Sequence, residues 1–182
     1  ETVLMTSGKG FFQNLTGFLF RKQAGLRPDS TLPVIKTDLQ TLNLSEDLLV
    51  WFGHSSYLIQ MEGKRLLVDP VFCTAAPVSF VNKPFKGMEV YRPEDMPDID
   101  WAILENGQYN EGWKYIHLMP GYMAAVAREL KAAKILTVHH SKYALATHPW
   151  DEPLKNARRM RDRDSLPVVI PQIGEVVNMA EY

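Results

Sequence analysis

LLVWFGHSSYLIQMEGKRLLVDPVF, residues 48–72, decides the fold. It reads as three strand pieces in quick succession. Leu48 to Phe52 is apolar and aromatic, Gly53 with Ser55 and Ser56 breaks it, and Tyr57 to Met61 resumes it. Glu62-Gly63 is a turn signal, since one residue of such a pair can take positive φ and close a tight hairpin. Arg65 to Val68 is then a short apolar run bounded by turn residues, the pattern of a strand buried on both faces. The run ends on Asp69-Pro70. A carboxylate at a strand's carboxyl end, before a residue that cannot continue the ladder, belongs at a sheet rim. Open α/β sheets place their ligands at such rims. His54 also lies just after a strand. For both His54 and Asp69 the plainer alternative is a turn cap bonded to nearby backbone.

The rest of the chain sets bounds on what this core can be. A length of 182 residues suits one domain. Hydrophobic content of 46% and charged content of 23% are globular values. A net charge of −1 gives no electrostatic footprint for nucleic acid. One cysteine, Cys73, excludes an internal disulfide and suits a reducing compartment, so a cytoplasmic location is expected. No apolar run reaches the roughly 18 residues of a spanning helix, and no secretory signal is visible.

Working outward, residues 1–44 read as an amino-terminal extension. Its GFFQNLTGFLFR stretch, residues 10–21, is expected to dock on the domain as a short amphipathic helix; contact with a membrane or a partner is the alternative use of its phenylalanines. Residues 73–98, with four prolines and Phe80, Phe85 and Tyr91, read as a long surface loop of the lid-like kind. Ile99 to Leu104 is another buried strand, and Glu105 to Tyr115 a polar loop carrying aromatics. Pro120 opens a helix to about Ala133, with Met123, Val126, Ala127 and Leu130 on one apolar face. Ile135 to Val138 follows as a strand, and helix then strand is a parallel α/β signature. Lys142 to Ala146 reads as a helical turn, Glu152 to Arg163 as a basic helix, and Val168 to Ile170 with Glu175 to Val177 as a terminal strand pair.

Five histidines are present: His54, His117, His139, His140 and His148. Zinc needs three or four converging N, S or O ligands, and the chain has no H-x-H, no H-E-x-x-H and no cysteine cluster to supply a local pair. Along an extended strand the adjacent His139 and His140 point to opposite faces, so only one can serve a given site.

WFGHSSYLIQMEGKRLLVDPVF (51–72), IDWAILENGQYNEGWKYIHLMP (99–120) and KILTVHHSKYALATHPWDEP (134–153) together resemble one branch of the metallo-β-lactamase fold. That branch contains the N-acyl-phosphatidylethanolamine-hydrolysing phospholipase D and the ascorbate-6-phosphate lactonase-like hydrolases. The resemblance implies a truncated metallo-β-lactamase-like αββα sandwich with mixed sheets over residues 45–182. It implies His139 as the last metal-ligand histidine, His117 as a catalytic histidine lining the pocket, Asp69 as a catalytic rim carboxylate that orients ligands, and His54 as a histidine beneath the site. Trp113 and Tyr115 would line the substrate pocket, and His140 has no assigned role.

The chain departs from the pattern at its centre. The family's H-x-H-x-D-H motif should follow the strand after Pro97-Asp98-Ile99-Asp100, and it is absent; Asp98-Ile99-Asp100 runs straight into Trp101-Ala102-Ile103-Leu104. An internal deletion is the simplest account. The family's zinc chemistry on ester or phosphodiester substrates needs several ligands held as a set. With one ligand kept, the expectation is an inactive member of a metal-dependent hydrolase lineage, with little or no zinc of its own. An active enzyme completed by a missing segment or a partner chain, and a binding module using Trp113, Tyr115 and His117, are the two alternatives. Loss of central strands leaves open sheet edges, so self-association is also expected.

Overall fold

The structure, a computed structural model, describes residues 28–72, 85–88, 90–107, 109, 117–143 and 146–180. A six-stranded sheet organises it: β1 (Leu48–Gly53), β2 (Ser56–Met61), β3 (Lys64–Val68), β4 (Trp101–Glu105), β5 (Lys134–Val138) and β6 (Val168–Val169), side by side in that order. β1, β2 and β3 are antiparallel neighbours, and β3 through β6 run parallel. The sheet is therefore mixed, as the resemblance implies. Helices α1 (Pro120–Leu130) and α2 (Glu152–Asp162), with short 3-10 turns at Leu39–Thr41 and Pro93–Asp95, complete the regular structure among the described residues.

The turn chemistry explains the antiparallel half. Glu62 and Gly63 have φ of 49° and 72°, so the β2–β3 connection is a two-residue turn with both residues left-handed. Such a turn matches the twist of the strands it joins. Met61 pairs with Lys64, and the register runs unbroken to Tyr57 opposite Val68.

One row of side chains crosses five strands on the buried face. Leu58 lies beside Leu67, Leu67 beside Ala102, Ala102 beside Ile135 and Ile135 beside Val168. All are buried, and they form one cluster with Met123 and Ala127 of α1 and Ala157 and Met160 of α2. The period-2 alternation of the strands and the i, i+4 spacing of the helix thus meet at one seam. Val126 and Leu130 pack at its margin, as the helical face predicts.

Leu39 and Tyr91 join this core although both lie in segments read as peripheral. Leu39, within 1–44, is 1% exposed. Tyr91 is buried in the stretch expected to be a surface loop; its ring lies 4.7 Å from that of Phe52, and its hydroxyl accepts from the Thr37 backbone N–H at 3.0 Å. Residues 37–39 are therefore tied to the core through Leu39 and Thr37. The stretch 10–21 and Cys73 lie outside the described residues.

Three expectations change. α1 stops at Leu130 because Lys131 is left-handed, and the Ala133 N–H bonds to the Ile99 carbonyl at the entry to β4. Residues 142, 143 and 146 are not helical, and 144–145 lie outside the described residues. Glu175 to Val177 forms no strand: Gly174 turns with φ of 86° and the Glu175 N–H closes back on the Gln172 carbonyl, so the parallel sheet ends at β6.

A buried polar bolt fixes α2 to the loop after β4. The Tyr109 hydroxyl donates to Glu152 Oε1 at 3.0 Å and accepts from Asn156 Nδ2 at 2.7 Å. Burial, then the Glu152 carboxylate, pushes the hydroxyl's pKa well above the ordinary tyrosine value. Folding thus favours the protonated phenol. Its contribution is complete below the unfolded value of about 10 and is lost as pH rises beyond it. Among the seven tyrosines, Tyr109 should ionise last in an ultraviolet absorbance titration, together with alkaline unfolding, and Tyr109→Phe should remove that lagging component.

Candidate metal centre

Parallel pairing brings three strand ends to one rim. Val68 lies opposite Ile103, and Glu105 opposite Val138. Asp69 follows β3, Glu105 ends β4 and His139 follows β5. Asp69 and His139 are both left-handed, with φ of 42° and 69°. Such a conformation is costly for a non-glycine residue and here turns each side chain out of its strand's path.

The turn at His139 rests on Gly107. A Cβ on residue 107 would lie 1.9 Å from the His139 carbonyl oxygen and 2.5 Å from its carbonyl carbon. Glycine is required here by close backbone approach rather than by its dihedral freedom. The Asn106 N–H bonding to the Val138 carbonyl at 3.1 Å holds the two strand ends together just before this contact.

At this rim Glu105 receives two imidazoles on one oxygen. His139 Nδ1 lies 3.0 Å from Glu105 Oε1, and His117 Nδ1 hydrogen-bonds to the same atom. The two rings are 6.0 Å apart and tilted by 42°. One donor atom from each of Glu105, His117 and His139 lies within 4.8 Å of the others. Tetrahedral zinc with bonds of about 2.0–2.2 Å holds its ligands roughly 3.4 Å apart, so this spacing fits a single ion. Two imidazole nitrogens and a carboxylate are an appropriate zinc set, and three protein ligands leave one position open.

The expected residues divide as follows. His139 and His117 come together. Asp69 stands at the same rim, where its carboxylate accepts from the Ser55 hydroxyl and its N–H bonds to the Ile103 carbonyl. His54 is exposed in the β1–β2 turn, and its carbonyl accepts from Trp51 Nε1 at 3.0 Å. Neither His54 nor Asp69 is in the three-donor group. Trp113 and Tyr115 lie outside the described residues. Glu105 was not anticipated, although it ends a buried strand as Asp69 does; the rim argument applied to Asp69 would have found it.

The remaining histidines are engaged elsewhere. His140 Nε2 lies 3.1 Å from both the Thr137 hydroxyl and carbonyl, and its Nδ1 lies 2.7 Å from the Ser141 hydroxyl. Burial lowers its pKa below the usual histidine value. His148 Nε2 reaches the Gly107 carbonyl at 2.9 Å, and its ring stacks on Tyr109 at 4.3 Å.

Comparison with known proteins agrees with this lineage. No family model matches the chain. It is 35% identical over 88 residues to N-acyl-phosphatidylethanolamine-hydrolyzing phospholipase D 1 of Caenorhabditis elegans, a match covering 45% of this chain and 24% of that protein. It is 46% identical over 46 residues to the outer membrane protein RomA of Klebsiella pneumoniae, covering 25% of this chain and 35% of that one. The chain thus spans only a minor part of the curated relatives it matches. A solved structure from Thermotoga maritima, assigned to the metallo-β-lactamase superfamily, matches 59% of this chain and 84% of its own, with 18% identity and a TM-score of 0.29. The partial homology to the phospholipase supports a metallo-β-lactamase-like fold and a hydrolase lineage. Among the described residues no helix is long and apolar enough to cross a membrane.

Gly107→Ala should destabilise the fold by about 3 kcal/mol, at the upper end of overpacking costs, because the obstructing atoms are backbone. Denaturant unfolding measures the loss.

Proposed function

We propose that this chain descends from two-metal hydrolases, holds a single divalent ion, zinc by preference, at Glu105, His117 and His139, and does not by itself hydrolyse the lineage's ester or phosphodiester substrates. The observation that carries the reading is the shared Glu105 oxygen: one carboxylate gathers two imidazoles into a set sufficient for one ion. A bound ion of this kind supplies Lewis-acid polarisation and a more acidic water. The chain's own residues supply the holding. Glu105 orients both rings, and Gly107 lets the chain after β5 approach closely enough to present His139.

A second ion needs its own ligands. The sequence has no H-x-H-x-D-H motif, and His140 and His148 are committed to Thr137, Ser141, Gly107 and Pro149. In this reading Asp69 positions the rim through Ser55, and His54 lies beyond the ion's reach. In this reading residues 45–182 are the incomplete domain and 1–44 an extension, of which Leu39 joins the core. The stretch around Trp113 and Tyr115 would meet a small ester or phosphodiester ligand.

The alternative, an active enzyme completed by further chain or a partner, is favoured by one observation: the match spans 24% of the phospholipase's length.

Purified protein loaded with zinc should retain about one equivalent after desalting, read by elemental analysis. Glu105→Gln should weaken binding by roughly 100-fold, at or beyond the loss seen for outer-shell ligand partners. The zinc-loaded chain should hydrolyse bis(4-nitrophenyl) phosphate no faster than Glu105→Gln. Two tightly held equivalents, or turnover abolished by Glu105→Gln, would overturn the single-ion, inactive reading.

A further inference from the structure

Ser141 follows β5, at the same carboxyl rim of the parallel strands as His139. Its backbone is left-handed, with φ of 65°. That conformation is costly for a non-glycine residue, and such strain gathers at functional positions. The Glu105 centre does not account for it, because Ser141 supplies none of the three donors.

The polarity of the Ser141 hydroxyl is fixed by a short chain of hydrogen bonds. Its Oγ lies 2.7 Å from His140 Nδ1. The other ring nitrogen, Nε2, lies 3.1 Å from the Thr137 carbonyl oxygen and 3.1 Å from the Thr137 hydroxyl. A carbonyl can only accept, so Nε2 carries the hydrogen of the neutral ring and Nδ1 is left bare. The Ser141 O–H therefore donates to Nδ1. Thr137 is buried in β5, so the sheet itself holds the group that orients the ring. Hydroxyl, imidazole and orienting acceptor in this order are the arrangement that activates a nucleophile.

The surroundings suit a small electrophile. Ser141 and His140 line a recess of about 10 Å³, together with Gly107, His148 and the exposed rings of Tyr143 and Trp150. That is room for about one water-sized group, such as a carbonyl oxygen. Among the described residues no hydrogen bond takes the Lys142 backbone N–H. The N–H of the residue after a nucleophilic serine is the kind of donor that stabilises a developing oxyanion.

We propose that Ser141 is a nucleophile that takes a small acyl group from an activated carboxylic ester, with His140 as its base and the Thr137 carbonyl as the positioning group, in a reaction that does not use the Glu105 centre. Oγ forms a bond to the ester's carbonyl carbon as its proton passes to His140 Nδ1. The bond from that carbon to the leaving oxygen then breaks, and the proton moves from Nδ1 to the leaving oxygen. The products are an acyl-serine and an alcohol. The size of the recess selects an acetyl-sized group over a long chain.

Time-resolved peptide mass mapping of chelator-treated protein incubated with 4-nitrophenyl acetate tests this. The chelator keeps the result independent of the zinc reading. Acetyl should accumulate on Ser141 roughly 100-fold faster than on Ser165, which is also left-handed but exposed and has no imidazole partner among the described residues. His140→Gln should slow acetylation of Ser141 by roughly 100-fold. Ser141→Gly, which suits the left-handed backbone, should abolish the fast acetylation. Ser141 that reacts no faster than Ser165, acetylation that appears only with added zinc, or a His140→Gln variant that reacts as wild type does would each overturn the proposal. If a variant fails to fold, the ratio of Ser141 to Ser165 acetylation in the wild type decides.

Discussion

The carbonyl oxygen of His139 occupies the space in which any side chain at position 107 would begin. That contact brings the chain leaving β4 against the chain leaving β5, one residue beyond the point where the Asn106 N–H meets the Val138 carbonyl. Because the two strands are parallel and in register, their exits face the same rim, and a small residue on one side lets the other turn inward. Every feature of the donor group follows. His139 takes a left-handed backbone, its ring swings over Glu105, and the same carboxylate oxygen collects His117 from before α1.

The row from Leu58 to Val168 makes that rim reproducible. Five strands share one buried line of aliphatic side chains, and α1 and α2 cover it. A slip of one residue in any strand would expose its members of the row, so the register is strongly specified on this face. The helix side of the sheet is thus firmly determined. On the other face Leu49 and Trp51 of β1 are exposed among the described residues.

The donor group also bears on a sequence that contains no H-x-H-x-D-H motif. On the resemblance alone His139 would be the one remaining ligand, and one imidazole holds no zinc. Spatial counting gives three donors, because Glu105 is recruited from a strand end and His117 from a loop, 12 residues apart in the chain. A carboxylate hydrogen-bonded to two imidazoles has a sensible state without metal as well, with the ring N–H groups donating to it. Proton and ion then compete for the same nitrogen atoms, which couples metal affinity to acidity.

Much of the architecture was legible in residues alone. Glu62-Gly63 announced the hairpin, the apolar runs announced β1 to β5, Pro120 opened α1, and Asp69 and His139 were correctly placed at strand ends. These are local signals, governed by dihedral preference and by side-chain periods of two and about 3.6. Tyr91 was misjudged as part of a surface loop, because burial depends on what closes over a residue and not on its neighbours in sequence. The terminal strand failed for the opposite reason: a local pattern around Val176 found no partner edge, since Gly174 turned the chain away. Composition and periodicity thus determined which segments became strands and helices. Only the tertiary structure decided that Glu105 would stand between His117 and His139, because strand register and the space left by a missing Cβ at Gly107 are properties of several distant segments at once.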